Sequence, residues 1–138
     1  MKTLLLAVLI LLSTTAFSQK TTITDSTFDN LLKDTLTNHG AYFRNGLKGW
    51  LDYLHNNIDP SIAEFNDAKV GKYEVKVLFY IGVDGSVIYT KPLTNKGFGM
   101  EEELIRVIKK SPLWVPAIEN KQKIKELHIQ SFTFYVTD

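Results

Sequence analysis

The chain has 138 residues, the size of one compact domain, and its 44% hydrophobic and 22% charged residues are typical of a globular protein. Sixteen basic residues balance fifteen acidic ones, so there is no excess of positive charge of the kind that binds nucleic acid. The sequence contains no cysteine, which excludes disulfide bonds, a thiolate nucleophile and cysteine-ligated metals.

Residues 1–18 have the pattern of a secretory signal peptide. Lys2 supplies a positive charge, residues 4–12 are all apolar, and Ala16 and Ser18 are small residues at the positions that precede cleavage. Nine helical residues span roughly 14 Å, much less than the roughly 30 Å of a bilayer's hydrocarbon layer. We therefore expect export and cleavage between Ser18 and Gln19; an uncleaved leader that anchors the protein in the inner membrane is the alternative.

Residues 19–42 are expected to form an N-terminal tail that contains one short helix. Four apolar residues follow helical spacing there, with Ser26 in place to cap the helix: Phe28, Leu31, Leu32 and Leu36. The sequence from Asn38 to Gly40 is expected to end this helix.

A second helix is predicted over residues 47–57. Its apolar stripe consists of four residues: Leu47, Trp50, Leu51 and Leu54. The helix is expected to end before Pro60, since a residue that precedes proline is disfavoured in the α region. A brief helical turn is predicted at residues 62–65.

A β-hairpin is the strongest local prediction. Residues 73–83 follow a period of two in a run rich in β-branched and aromatic residues. The odd positions are Tyr73, Val75, Val77, Phe79, Ile81 and Val83, and they alternate with Glu74, Lys76, Leu78, Tyr80 and Gly82. Asp84 and Gly85 form a typical hairpin turn, and residues 87–90 supply the return strand. Pro92 is expected either to end that strand or to mark it as an edge strand.

The third predicted helix begins at Met100. Its apolar positions are spaced at i, i+4, i+7 and i+8: Met100, Leu104, Val107 and Ile108. Glu101, Glu102 and Glu103 lie in the first turn and two lysines in the last, which complements the helix dipole. Consecutive helical residues point in different directions, so we interpret these carboxylates as dipole partners and not as catalytic groups.

The last predicted strand runs from about Lys125 to Val136 and changes its alternation. Leu127 and Ile129 are apolar at odd positions, whereas the apolar residues that follow are at even positions: Phe132, Phe134 and Val136. An unbroken strand would send these two groups to opposite faces. Either both faces are covered or a bulge near Gln130 and Ser131 resets the alternation, and we favour the bulge.

These elements predict an α+β fold with a small three-stranded antiparallel sheet, formed by the hairpin and the C-terminal strand, and with helices packed on one face. The expected cover is a set of six residues: Trp50, Leu51, Leu54, Leu104, Val107 and Ile108. A three-stranded sheet has two open edges, and each is a template for another chain unless it is protected.

Several motifs occur in the order and spacing of a known family. The matching segments are Gly46-Leu47, Trp50-Leu51, Tyr53-Leu54, Ile58, Pro60, Gly71, Asp84-Gly85, residues 108–112, Trp114-Val115-Pro116-Ala117, Asn120 and residues 132–134. Over residues 43–136 the chain resembles TonB C-terminal domains of the Bacteroidetes type, so residues 43–138 are interpreted as a TonB C-terminal-like domain.

The chain also departs from this family. Asp59 replaces the usual tyrosine, Lys121 a common glycine, and Ser131 a proline that often precedes the last strand. Energy-transducing members combine a membrane anchor and a long proline-rich spacer with this domain. Here the leader is expected to be cleaved, and the four prolines form no spacer.

The resemblance implies a periplasmic, non-enzymatic protein-binding module without cofactor or metal. Family members pair their last strand with an extended peptide, so the implied partner is a protein or peptide, with an outer-membrane TonB-dependent transporter as one candidate and transmembrane transport as the implied process. The implied binding segment comprises Leu127, His128, Ile129, Gln130, Ser131, Phe132 and Thr133. His128, Gln130 and Thr133 are the candidate selectivity positions. Gln130→Pro is predicted to abolish pairing while leaving the fold intact.

Two other classes of function remain open. One is a domain that associates with itself as a homodimer, or an adapter without a transport role; the other is a small-ligand binder or enzyme on the same fold. The three histidines are scattered without the spacing of metal ligands, and no nucleophile, phosphate-binding or dinucleotide motif occurs. Trp114 is expected to pack in the core instead of forming an exposed recognition patch.

Overall fold

The computed structural model describes residues 38–138, so the predicted signal peptide and the predicted helix at residues 28–36 lie outside the described part. The described chain forms three helices and five strands: α1 (Gly46–Asn57), α2 (Ile62–Phe65), β1 (Gly71–Ile81), β2 (Val87–Pro92), α3 (Met100–Lys109), β3 (Ala117–Glu119), β4 (Gln122–Ile124) and β5 (Glu126–Val136). Strands β2, β1 and β5 form a three-stranded antiparallel sheet in that order, and β3 pairs with β4. The predicted α+β class and the predicted position of the last strand beside the first are confirmed.

The helices lie where the apolar spacing predicts them, with one correction to the predicted cover. Trp50 and Leu54 of α1 are buried, together with the predicted α3 residues. Leu51 is 49% exposed and Leu47 is 73% exposed, so the buried stripe of α1 is narrower than predicted. Leu47, at the start of α1, is the apolar residue of this helix that is most open to solvent.

The hairpin of β1 and β2 is confirmed, and its turn packs against Trp114. Gly85 has φ +85°, and a Cβ atom at this position would lie 2.1 Å from the Trp114 carbonyl oxygen. The Trp114 amide donates a 2.9 Å hydrogen bond to the Gly85 carbonyl. Trp114 is 6% exposed, which confirms its predicted place in the core. Only glycine fits this turn, both because of its backbone conformation and because of the close approach.

The predicted bulge in the last strand is wrong. All eleven residues of β5 pair with β1 in one continuous register, from Gly71 opposite Val136 to Ile81 opposite Glu126. Phe134 and Val136 are buried, whereas Leu127 and Ile129 are 44% and 56% exposed. The alternation therefore never resets: β5 places Leu127 and Ile129 on the face without helices, which is open to solvent.

The β3–β4 hairpin was not predicted. Its turn consists of Asn120 and Lys121, with φ 50° and 64°. Asparagine tolerates this left-handed conformation better than lysine does, which weakens the turn signal in the sequence. On the other side of β3, His39 pairs with Ile118 and Tyr42 with Val115, so residues 39–42, assigned by sequence to the tail, pair with this part of the domain.

Two carboxylates of α3 are buried and hold neighbouring loops. Glu101 accepts hydrogen bonds from the Thr94 hydroxyl (2.9 Å) and from two main-chain amides of the loop that follows β2. Glu103 accepts from the Asp59 amide (2.8 Å) and from the Arg106 guanidinium (2.6 Å). The Arg106 hydrogen bonds hold the pKa of Glu103 below its ordinary value, against the effect of burial. These contacts go beyond the dipole interaction expected from the sequence.

Candidate functional site: the outer edge of β5

The hydrogen bonds of Lys76 show which main-chain groups of the sheet face which neighbour. The Lys76 amide donates to the Thr94 hydroxyl (3.0 Å), and the Lys76 carbonyl accepts from the Leu93 amide (2.8 Å). Both contacts lie on the side of β2. Because main-chain groups of consecutive residues in a strand point to opposite sides, the odd-numbered residues of β1 face β5.

The register between β1 and β5 shows which main-chain groups of β5 face β1. Val77 lies opposite Gln130 and Val75 opposite Phe132, so the even-numbered residues of β5 form the hydrogen bonds with β1. The main-chain groups of the odd-numbered residues point away from the sheet: Leu127, Ile129, Ser131, Thr133 and Tyr135. Within residues 38–138, none of these five amides donates to another main-chain group. Among the described residues, the strand thus presents a row of donors and acceptors without main-chain partners along its outer edge.

This alternation overturns the prediction for Gln130→Pro. The Gln130 amide faces Val77 and belongs to the β1–β5 ladder. A proline at this position removes a hydrogen bond inside the sheet, so the substitution cannot spare the fold. Ser131 is the adjacent position where proline would remove an outward-facing donor instead.

The side chain of Gln130 partly occupies the edge. Its Oε1 atom accepts a 2.7 Å hydrogen bond from Trp50 Nε1, and its Nε2 atom donates a 2.6 Å hydrogen bond to the Ser131 carbonyl. The indole N–H can only donate, which fixes the orientation of the amide group. Gln130 therefore covers one acceptor in the middle of the free edge.

His128 lies on the face of the sheet that packs against the helices. Its ring stacks on Phe79 with centroids 5.4 Å apart and lies 5.3 Å from the Trp114 ring. His128 Nε2 is 2.9 Å from Glu126 Oε2, which also accepts a 2.6 Å hydrogen bond from the Ala41 amide. Thr133, in contrast, lies on the open face, so the three candidate selectivity residues are divided between the two faces.

A cavity of about 290 Å³ opens between the start of α1 and β5. Aromatic rings form much of its wall, together with an exposed leucine and two polar side chains from β5: Phe43, Leu47, Trp50, Trp114, His128 and Gln130. The cavity borders β5 at residues 128–130, beside the free main-chain groups of Ile129 and Ser131. The structure thus joins a free strand edge to a side-chain-sized cavity.

The predicted binding segment is one continuous strand, but only part of it faces outward. Leu127, Ile129, Ser131 and Thr133 present their main-chain groups to the outer edge, while the ring of Phe132 packs against the core. Tyr135 and the cavity residues of α1 were not among the predicted site residues. The apolar residues Phe132, Phe134 and Val136 are the sequence signal for the outward-facing positions, because they show that the even-numbered residues of β5 face the core.

The fold and this edge define a small α+β domain with an exposed β-strand. No protein-family model matches the chain, and no curated protein matches its sequence. In the part of the chain that the structure describes, no helix is long and apolar enough to cross a bilayer, and no three residues among His, Asp and Glu are grouped as metal ligands.

Proposed function

We propose that this protein is a periplasmic, TonB-like protein-binding module that pairs the outer edge of β5 with an extended peptide of a partner. The observation that carries the proposal is the row of five outward-facing residues without main-chain partners among residues 38–138. In strand addition, main-chain hydrogen bonds supply affinity and alternate side chains supply selectivity. The proposed partner is an extended segment of an outer-membrane transporter, in keeping with the resemblance of the sequence to TonB C-terminal domains.

Three features support a peptide over a rigid partner surface. The free edge is long enough for several main-chain hydrogen bonds, because it extends over most of an eleven-residue strand. It lies beside a cavity that borders the strand itself. Within residues 38–138, its middle carbonyl is covered by the side chain of Gln130, which can rotate away.

Amide hydrogen exchange measured by NMR tests the proposal at the level of single residues. In the free protein, the amides of Ile129, Ser131 and Thr133 should exchange quickly, while those of Gln130 and Phe132 should be protected. Synthetic peptides that copy the periplasmic N-terminal segments of outer-membrane transporters should then protect the odd-numbered amides. Ser131→Pro should weaken peptide binding at least tenfold while retaining the folded spectrum.

Three results would contradict the proposed function. Protection of the odd-numbered amides in the free monomer would mean that the protein's own chain already covers the edge. Protection that depends on protein concentration alone would indicate pairing between two copies. Peptide binding that leaves all β5 amides unchanged would place the binding surface elsewhere.

A further inference from the structure

The cavity beside β5 has an apolar rim that the fold alone does not require. Leu47, which lines it, is 73% exposed, and Tyr42 at the same opening is 46% exposed. Trp50 and Leu54 make the core contacts of α1. The exposed Leu47 side chain at the start of this helix therefore contributes little to the folded core. These side chains surround an opening that faces the outer edge of β5.

Strand addition would direct side chains into this cavity. Residues directly opposite each other on neighbouring strands project to the same face of a sheet. His128 and Gln130 project to the helix-packed face and line the cavity. The residue of an added strand that lies beside them must therefore project to the same face, directly over the opening.

The polar atoms of the lining determine the chemistry of the occupant. Trp50 Nε1 is bonded to Gln130, the Gln130 amide to the Ser131 carbonyl, and His128 Nε2 to Glu126. A polar or charged group that entered would lose water without gaining these partners, which is unfavourable. The rings of Phe43, Trp50 and Trp114 form an apolar wall of the cavity, although each residue is at most 8% exposed.

We propose that the cavity binds one large apolar side chain, aliphatic or aromatic, of the strand that pairs with β5. The proposal rests on the proposed function and adds the chemistry that selects the peptide. A volume of about 290 Å³ is sufficient for a large apolar side chain such as leucine or tryptophan. The proposed peptide is therefore an extended segment with an apolar anchor on the face turned toward the helices.

A second copy of the chain is a poorer occupant than a peptide. If two β5 strands paired edge to edge, the residues turned toward the cavity would be even-numbered ones. The apolar members of that set, Phe132, Phe134 and Val136, already pack in their own core. The remaining members are Glu126, His128 and Gln130, which are polar.

Peptides of defined composition test the inference. The probes are acetylated, amidated nine-residue peptides of alternating threonine and serine whose central residue is leucine, tryptophan, serine or aspartate. We expect the leucine and tryptophan peptides to bind the mature protein at least tenfold more tightly than the other two, measured by chemical-shift titration of the β5 amides. Leu47→Glu should reduce this preference to less than threefold.

Leu51→Glu is the matched control, because Leu51 lies on the same helix and is also exposed but does not line the cavity. It should retain the full preference. Equal affinity for all four peptides, with β5 amide shifts that Ser131→Pro abolishes, would overturn the apolar subsite and leave the proposed function standing. Absence of any shift in the β5 amides would overturn both the apolar subsite and the proposed function.

A cross-linking experiment tests which segment occupies the cavity. A photo-reactive phenylalanine analogue at position 47 should cross-link the peptide. Capture of residues 19–37 or of a second copy of the chain while the peptide is present would overturn the inference.

Discussion

The two edges of the sheet differ in how far they are protected against pairing. β2 has six residues and ends in Pro92, which lies opposite Val77 with its nitrogen on the outer side. The residues after it turn back onto the domain, where Thr94 binds both Lys76 and Glu101. β5 has eleven residues, contains no proline, and leaves five residues with outward-facing main-chain groups.

Among residues 38–138, this difference means that protection against pairing is built into one side of the sheet only. A short strand, a proline and a tethered loop are known means of preventing edge-to-edge association. β2 has all three, whereas the outer edge of β5 is covered, among the described residues, only by the side chain of Gln130. An unprotected long edge in an otherwise protected sheet is a reason to look for a binding partner there.

The largest effect is expected from moving a proline by one residue along β5. Gln130→Pro removes a ladder hydrogen bond to β1 and the contact with Trp50, and should lower the free energy of unfolding by on the order of 3 kcal/mol. Ser131→Pro removes only an outward-facing donor and should cost less than about 1 kcal/mol. Urea denaturation followed by tryptophan fluorescence measures both.

The pair of variants tests the assigned alternation directly. If Ser131→Pro unfolds the protein and Gln130→Pro does not, the outer edge has been assigned to the wrong residues. If both are equally destabilising, the β5 edge is no more open than an interior strand.

An intermediate effect is expected on lowering the pH. The Arg106 hydrogen bonds depress the pKa of Glu103 in the folded state. The contribution of the ionised Glu103 to the free energy of unfolding is therefore fully present above its unfolded-state pKa of about 4.5, and it is lost as the pH falls through the lower folded-state pKa. Thermal unfolding should therefore occur at lower temperature below about pH 4.5. The Glu103→Gln variant should be less stable than the unchanged protein at pH 7, and its unfolding temperature should vary less with pH in the acid range.

The hydrogen bonds of Glu103 join it to Asp59 and Arg106, and neither residue belongs to β2 or β5, so acidification should not change the difference between the two edges. At a pH where the protein remains folded, the odd-numbered amides of β5 should still exchange faster than the even-numbered ones after correction for intrinsic rates. Loss of that difference before global unfolding would show that the exposed edge depends on the Glu103 contact.

The smallest effect is expected from removing the side-chain cover of β5. Gln130→Met lacks the donor that binds the Ser131 carbonyl, while Trp50 Nε1 can bind water in the open cavity. Freeing this acceptor should strengthen peptide binding or self-association about threefold, which corresponds to about 0.6 kcal/mol. Sedimentation over a concentration series and peptide titration measure the two outcomes.

Gln122→Met is the control, because Gln122 is an exposed glutamine on β4. An equal change in both variants would show that the effect comes from added hydrophobicity. Unchanged association in Gln130→Met would show that its side chain does not limit access to the edge.

Much of the fold could be predicted from local patterns, but the orientation of the site could not. The period-two pattern of residues 73–81 predicts a strand without any knowledge of long-range contacts. The spacing of Met100, Leu104, Val107 and Ile108 predicts a helix in the same way. β5 was harder to interpret because Leu127 and Ile129 are apolar on an exposed face. Hydrophobicity alone then indicates a bulge that the pairing with β1 rules out.

The cavity depends on contacts between distant parts of the chain. Trp50 and Gln130 are separated by 80 residues, and their hydrogen bond has no local sequence signal. The β3–β4 turn was missed because Lys121 adopts a backbone conformation that usually favours glycine. Side-chain alternation predicted the strands, but only their pairing could show which amides are free.

The contact between Gly85 and Trp114 links a surface turn to the interior of the cavity. The Trp114 main chain is bonded to the Gly85 carbonyl, and its ring forms part of the cavity wall. Any side chain at position 85 would push the tryptophan backbone away and tilt the ring that a bound anchor would touch. The backbone conformation of Gly85 thus helps to position one wall of the cavity, although Gly85 itself does not line it.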